Sequence, residues 1–224
     1  MTPGPDSFHE RAAPPSVSVL VPAAGASTRL AGPARKPFRA LAGRPILLRT
    51  CERLRAMPGV GEIILAVHPG DLATVQGELW ETLRAAGVRL AVAGGEVRAQ
   101  SVWNALAVAD PQAQLVAVHD AVRPFVSPAV CGELFRVALD RGAAVPVVPV
   151  NDTIKRTETD TVVETIRRRG LMRVQTPQVF RRELFVAANE YALATGGFSD
   201  AITDDASLVE SYGKEVAVVL GEEY

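Results

Sequence analysis

Short apolar runs rich in β-branched residues recur along this chain, and helical patterns fill the gaps between them. That alternation constrains the fold more than any other feature. The runs fall at residues 17–21, 62–67, 88–93, 115–118 and 143–148, with a late one at 215–220. Several are apolar at nearly every position, the pattern of strands buried on both faces. Helical spacing marks residues 46–55, 72–86, 98–109, 128–141, 181–195 and 204–212. Ser127 and Pro128 read as a helix start, Gly87 and Gly142 as helix ends, and Thr203 as the cap of the last helix. A β-α-β-α order predicts an α/β fold: a doubly wound, mostly parallel sheet with helices on both faces.

The pattern breaks after Pro149. Residues 150–178 hold short Thr/Val stretches with dense charge and predict a two-stranded β-arm standing off the main sheet. A lone ribbon is only marginally stable in water, so the arm needs something to pack on. A surface excursion on its own domain and a dimerisation arm both satisfy that need. Residues 1–15, rich in Pro and polar side chains, are expected to form a flexible tail. Residues 16–224 are then one domain, since a chain of 224 residues suits a single large core.

Composition narrows the function classes. A net charge of -1 offers no global electrostatic reason to bind nucleic acid or a membrane surface. No apolar run approaches the roughly 20 residues of a membrane helix. Arg11 followed by SVSVLVPAAGAS imitates a signal peptide, but the β-branched alternation, the Pro and the following Arg29, Arg35 and Lys36 read as strand and loop. Cys51 and Cys131 lie far apart, and the three histidines are scattered, so neither zinc nor a disulfide framework is expected. The reduced cytoplasm is the expected compartment.

Three segments carry chemistry. After the first strand, Ala23, Ala24, Gly25, Ala26 and Ser27 let backbone N–H groups approach a phosphate chain, with Arg29 and Lys36 supplying positive charge. This loop is neither GxxxxGK[ST] nor GxGxxG, and a small-residue loop is also an ordinary tight strand exit. In VAVHDAVRPF, Asp120 sits at a strand's carboxyl end, where it can hold a divalent cation while Arg123 faces an anion; alternatively the two simply pair with each other. In GGEVRAQSV, the Ser101 hydroxyl can read a base edge or bond locally to backbone.

Together these segments resemble the 2-C-methyl-D-erythritol 4-phosphate cytidylyltransferases. The motifs are PAAGASTRL, Lys36 before an aromatic, GGEVRAQSV, HDAVRP, PVNDTIKR, RRRGLMRVQTPQVF and TDDASLVE, in the family's order from about residue 17 onward. The resemblance implies a Rossmann-like nucleotidyltransferase fold and transfer of the cytidylyl group of CTP to methylerythritol phosphate, with Mg²⁺, in isoprenoid precursor synthesis. It implies that Arg29 and Lys36 stabilise the triphosphate and the transition state. Ala23, Ala24, Gly25, Gly95 and Ser101 would surround CTP, and Asp120 would lie near the metal and the sugar phosphate. Arg123, Thr153, Arg168, Thr176 and Thr203 would form the acceptor pocket. The arm would cross to a partner subunit, which favours a homodimer.

Several positions depart from the family pattern. Ser27 replaces a usual glycine, Lys36 is followed by Pro37 rather than preceded by Pro, and Arg167 stands where an acidic residue is common. An Asn-x-Lys-Val-Thr segment and a closing helix, expected after the last strand, are missing from the sequence, so the C-terminal segment reads as truncated. Rival readings are a ribitol 5-phosphate or other sugar-phosphate nucleotidyltransferase, and a nucleotide-binding module without catalysis.

Overall fold

The computed structural model describes residues 14–25, 35–199 and 201–223. Strand β1 (Val17–Ala23) is followed by a small hairpin, β2 (Ala40–Leu41) and β3 (Arg44–Pro45), then helix α1 (Ile46–Arg55) and β4 (Val60–Val67). Next come α2 (Leu72–Gln76), α3 (Trp80–Ala85), β5 (Val88–Ala93), α4 (Arg98–Leu106), β6 (Leu115–Val118), α5 (Pro128–Arg141) and β7 (Ala143–Pro149). The hairpin β8 (Ile154–Glu158) and β9 (Thr161–Ile166) precedes β10 (Met172–Val174), β11 (Gln178–Arg181), α6 (Arg182–Thr195), α7 (Ala206–Ser211) and β12 (Ala217–Leu220).

Among the described residues the main sheet has eight strands. From one edge it runs β5, β4, β1, β6, β11, β7, β12, with β10 lying on the same side of β7 as β11. The pairs of β1 with β4 and β6, of β4 with β5 and of β7 with β12 are parallel. Only β10 and β11 run the other way. The sheet is therefore mixed but mostly parallel, as the alternating runs predict.

Successive residues of a strand face opposite sides of the sheet, and both sides are covered. Val17, Val19 and Val21 pack with Leu47, Cys51, Leu54, Val75, Leu83 and Leu134 in one core layer. Leu20, Ile64, Val116 and Val118 pack with Val102, Leu106, Phe180, Phe185 and Leu208 in the other. Each fully buried Leu or Val contributes roughly 1.5–3 kcal/mol, so this two-sided burial explains why the strands tolerate so few polar residues.

Local signals hold where the chemistry is strong. The Ser127 side chain accepts from the Val130 N–H at the start of α5, and Gly142 ends that helix at φ 91°. Two expectations need correction. The single helix over 72–86 is two, because Gly77 caps α2, its N–H donating to the Ala73 carbonyl, before Trp80 starts α3. The last helix starts at Ala206, not 204, and the side chain accepting from its first turn is Asp204, which takes the Ser207 N–H at 3.1 Å, rather than Thr203. A carboxylate is the stronger acceptor at a helix N-terminus.

The arm is the antiparallel β8–β9 pair, with Val162 and Val163 exposed at its tip. It is shorter than the 150–178 excursion, because residues 172–174 already rejoin the sheet as β10.

Candidate active site

The parallel strands β1, β4, β5 and β6 end on one edge of the sheet, and a cleft of about 900 Å³ opens there. The chain proceeds from β1 outward to β4 and β5, then returns to place β6 on β1's other side. That reversal is a topological switch point, where diverging connections leave a crevice. Ala23 and Ala24 lie at it, and Gly25, Lys36, His68, Gly95, Ser101 and Asp120 share the lining.

Small residues form the floor for lack of space. A Cβ on Gly94 would stand 2.3 Å from that of Ala24, and one on Gly95 would stand 2.0 Å from the Gln100 side chain. The Gly94 N–H donates to the Val67 carbonyl at 2.7 Å, tying the turn to the end of β4. The Ser101 hydroxyl, buried, accepts from the Gly95 N–H at 3.0 Å and donates to the Val97 carbonyl at 3.2 Å. Of the two roles open to Ser101, local bonding is thus occupied: it shapes the glycine turn.

Lys36 opens a short 3-10 turn whose next residue, Pro37, is buried. Arg29 and Ser27 lie outside the described residues. Just before Lys36, the Arg35 guanidinium contacts Asp71 Oδ2 at 2.8 Å and His68 Nδ1 at 3.1 Å.

Asp120, two residues past the end of β6, lies on the opposite wall. Its Oδ2 accepts from Arg123 Nε at 2.9 Å, so the Asp–Arg pairing anticipated from spacing does form. Its Oδ1 stands 3.6 Å from Arg98 Nη2, and its backbone N–H donates to the Thr176 hydroxyl at 3.3 Å. Beside it, fully buried His119 donates from Nε2 to the Arg123 carbonyl at 2.9 Å. Burial pushes the His119 pKa down, against the opposing pull of that carbonyl, which keeps the ring neutral. His119 therefore shapes the 119–123 turn. Arg123 and Thr176 line a second, smaller cavity of about 280 Å³ that shares Val122 with the main cleft.

Thr176 reaches Asp120 because β11 runs antiparallel to β6 with Gln178 opposite Val118. Gln178, buried in that strand, accepts from the Asp205 and Ala206 N–H groups at 3.0 and 2.9 Å and donates to Asp204 Oδ2 at 2.9 Å. It thereby sets the turn carrying Thr203. Asp205, also buried, accepts from Arg98 Nη1 at 2.7 Å. Burial raises the Asp205 pKa against the pull of Arg98; for Arg98, burial works downward, and Asp205 and Asp120 outweigh it, leaving the guanidinium raised. Arg98, Gln178 and Asp205 lie inside recognisable segments, yet spacing assigns them no role. The available signal is Gln178 itself, a polar residue opening the short run that carries apolar Val179 and Phe180.

Thr153 and Arg168 are exposed at the base of the arm, where Arg168 donates to the Asn151 carbonyl. Neither is among the described residues lining the cleft of its own chain. No helix among the described residues is long and apolar enough to cross a membrane.

The family profile for IspD, 2-C-methyl-D-erythritol 4-phosphate cytidylyltransferase, matches residues 17–224. A protein of that name from Solibacter usitatus is 41% identical over 218 residues, covering 92% of this chain and 88% of the relative. The crystal structure of 2-C-methyl-D-erythritol 4-phosphate cytidylyltransferase from Thermus thermophilus superposes with a TM-score of 0.75 at 35% identity, covering 92% of this chain and 89% of that one. The 4-diphosphocytidyl-2C-methyl-D-erythritol synthase of Anaerococcus prevotii reaches 0.76 at 29% identity, covering 93% and 88%. Because the profile match contains every described residue of the cleft, and the solved structures share the fold over more than nine tenths of the chain, this chain belongs to the 2-C-methyl-D-erythritol 4-phosphate cytidylyltransferase family.

Proposed function

We propose that this chain transfers the cytidylyl group of CTP to 2-C-methyl-D-erythritol 4-phosphate, releasing pyrophosphate. The observation that carries this reading is the convergence of Lys36, the Gly95 turn and Asp120 on one cleft at the switch point. Ala23, Ala24, Gly25, Gly95 and Ser101 form the nucleotide side, where their small size lets a base and ribose lie close to backbone. Arg123 and Thr176, which line the adjoining smaller cavity, form the acceptor side, with Thr203, outside both linings, assigned to it by the family resemblance.

An oxygen of the acceptor phosphate attacks the α-phosphorus in line; the bond from that phosphorus to the bridging oxygen breaks, and pyrophosphate leaves. A phosphomonoester with a second pKa of about 6 is already ionised at neutral pH, so no general base is required. His119, neutral and engaged in its turn, fits that economy. The barrier is the approach of two anions, and Lys36 and Arg29 lower it by holding the triphosphate's oxygens as charge develops.

Asp120 fits Mg²⁺: its carboxylate lines the cleft, and Oδ1 stands 3.6 Å from Arg98, too far for a hydrogen bond. Mg²⁺ is ordinarily held by one or two carboxylates together with substrate phosphates, and Asp120 would supply one such carboxylate. Mg²⁺ held there would neutralise phosphate charge. The position of Thr153 and Arg168 on the arm supports a homodimer in which each arm serves the neighbouring cleft.

Pyrophosphate release with CTP, Mg²⁺ and methylerythritol 4-phosphate tests the reaction. Turnover that depends on the acceptor is expected, and K36Q should lower kcat by about 10²-fold, the scale of one lost transition-state contact. Faster turnover of ribitol 5-phosphate, or equal turnover with UTP, would overturn the substrate assignment. CTP binding without any pyrophosphate would leave a binding module instead.

A further inference from the structure

Lys36 is preceded by Arg35, with no proline ring to stiffen the chain on that side. The Arg35 guanidinium contacts the turn that follows β4, with Nε 2.8 Å from Asp71 Oδ2 and Nη2 3.1 Å from His68 Nδ1. We propose that Arg35 is a positioning residue, clasped by Asp71 and His68, that holds Lys36 at its working place in the cleft. This rests on the reading of Lys36 given above.

The anchor is rigid. His68 directly follows β4, whose last six residues are buried. Its Nδ1 also accepts from the Gly70 N–H at 3.0 Å, while the Asp71 N–H donates to the His68 carbonyl at 2.8 Å. Gly70 N–H and the Arg35 guanidinium are both donors, and they converge on and share the single in-plane lone pair of Nδ1. The turn thus presents a preformed acceptor and a carboxylate to a single guanidinium. With side chains only 28% and 25% exposed, the Arg35–Asp71 pair is less screened than an ion pair in open solvent.

The clasp is transmitted through backbone. The Arg35 carbonyl accepts from the Phe38 N–H at 3.0 Å and so closes the turn containing Lys36. Neighbouring Cα atoms are about 3.8 Å apart, so fixing Arg35 fixes where the Lys36 side chain begins. Buried Pro37 holds the other side. Lys36 is consequently gripped from both flanks.

The test compares R35Q, R35K, D71N, K36Q and the double variant R35Q/K36Q by steady-state kinetics, by calorimetry with CTP, and by thermal melting. A displaced Lys36 should lower kcat and weaken CTP binding by about tenfold in R35Q and D71N, within the range that small misplacements cost. The acceptor KM should stay within about twofold, and R35K, keeping the Asp71 pair but not the planar fork, should fall between. In the K36Q background the R35Q change should add nothing to either readout. If R35Q costs the same factor with Lys36 already gone, Arg35 acts on its own and the clasp is refuted. Wild-type kcat and CTP affinity in R35Q would refute it too. Should K36Q itself leave both unchanged, the reading of Lys36 falls first and takes this inference with it.

Discussion

A Cβ at Gly94 would stand 2.3 Å from the Cβ of Ala24 and 2.9 Å from the Ser101 hydroxyl, and neither neighbour is the far end of a flexible side chain. G94A must therefore move the strand exit against the glycine turn. Overpacking of this kind typically costs 1–3 kcal/mol, and here it also closes the nucleotide side. The expected result is a lower melting temperature together with at least about tenfold weaker CTP binding, read by calorimetry; unchanged CTP affinity would remove Gly94 from the site. His119 gives a pH prediction. Its folded pKa lies below the ordinary histidine value because burial disfavours the cation. The unfolded chain therefore takes up a proton below about pH 6.5 that the folded chain resists, so the stability tied to a neutral His119 is complete above that value and lost as pH falls through it. Urea unfolding at pH 7.5 and 5.5 should show H119Q losing less stability than the wild type, by up to about 1.4 kcal/mol per pH unit. Lys36 and the glycine turn were legible because their motifs are local. The partners of Arg35 were not, since His68 and Asp71 are more than thirty positions away and meet it only through the β1–β4 pairing.

At the level of elements, β11 is the piece that the alternating pattern least announces. It is four residues long, QVFR, and runs against its neighbours between β6 and β7. Its placement brings Thr176 to Asp120 and lets buried Gln178 satisfy the Asp205 and Ala206 N–H groups. Replacing Gln178 with Leu leaves those two donors without an acceptor, and each stranded group costs about 1–3 kcal/mol. Q178L should accordingly lower Tm by roughly 6–12 °C for a loss near 3 kcal/mol in a domain of this size. It should also raise the acceptor KM, because the turn bearing Thr203 is released. A melt within about 2 °C of wild type would contradict the bonding described. The helices were easier to foresee: 46–55 and 128–141 match α1 and α5 because each apolar stripe lies within its own segment, and Ser127 and Gly142 flank α5 as its caps. The break at Gly77 was missed because the apolar stripe continues across it, with Val75 and Leu83 buried on either side.

For the whole molecule, the decisive feature is the arm. Val162 and Val163 are 54% and 47% exposed on a ribbon of two short strands, and Thr153 and Arg168 at its base do not line their own cleft. If each arm serves the neighbouring subunit, sedimentation should find a dimer, and V162D/V163D should shift it toward monomer while the melting temperature of the isolated domain changes little. Mixing K36Q subunits with R168Q subunits should then restore part of the activity that each lacks alone, because one cleft of the mixed dimer carries neither change. A monomer at full activity, or no recovery on mixing, would place the arm on its own domain.

Periodicity by itself determined the class of this protein. Runs apolar at nearly every position need cover on both faces, and helices between them supply it, so a doubly wound sheet follows from local hydrophobic pattern alone. The order of motifs likewise pointed to Ala23, Ala24, Gly25, Lys36, Gly95, Ser101 and Asp120, which line the cleft, whereas Thr153, Arg168 and Thr203 do not line it and Arg29 lies outside the described residues. Tertiary structure alone decided the strand order, the insertion of β11, the Gln178–Asp205–Arg98–Asp120 contacts and the Arg35 clasp. The physical reason is range: burial preference and capping act within a few residues, whereas hydrogen bonds between charged groups distant in sequence exist only once the sheet has brought their strands' ends together.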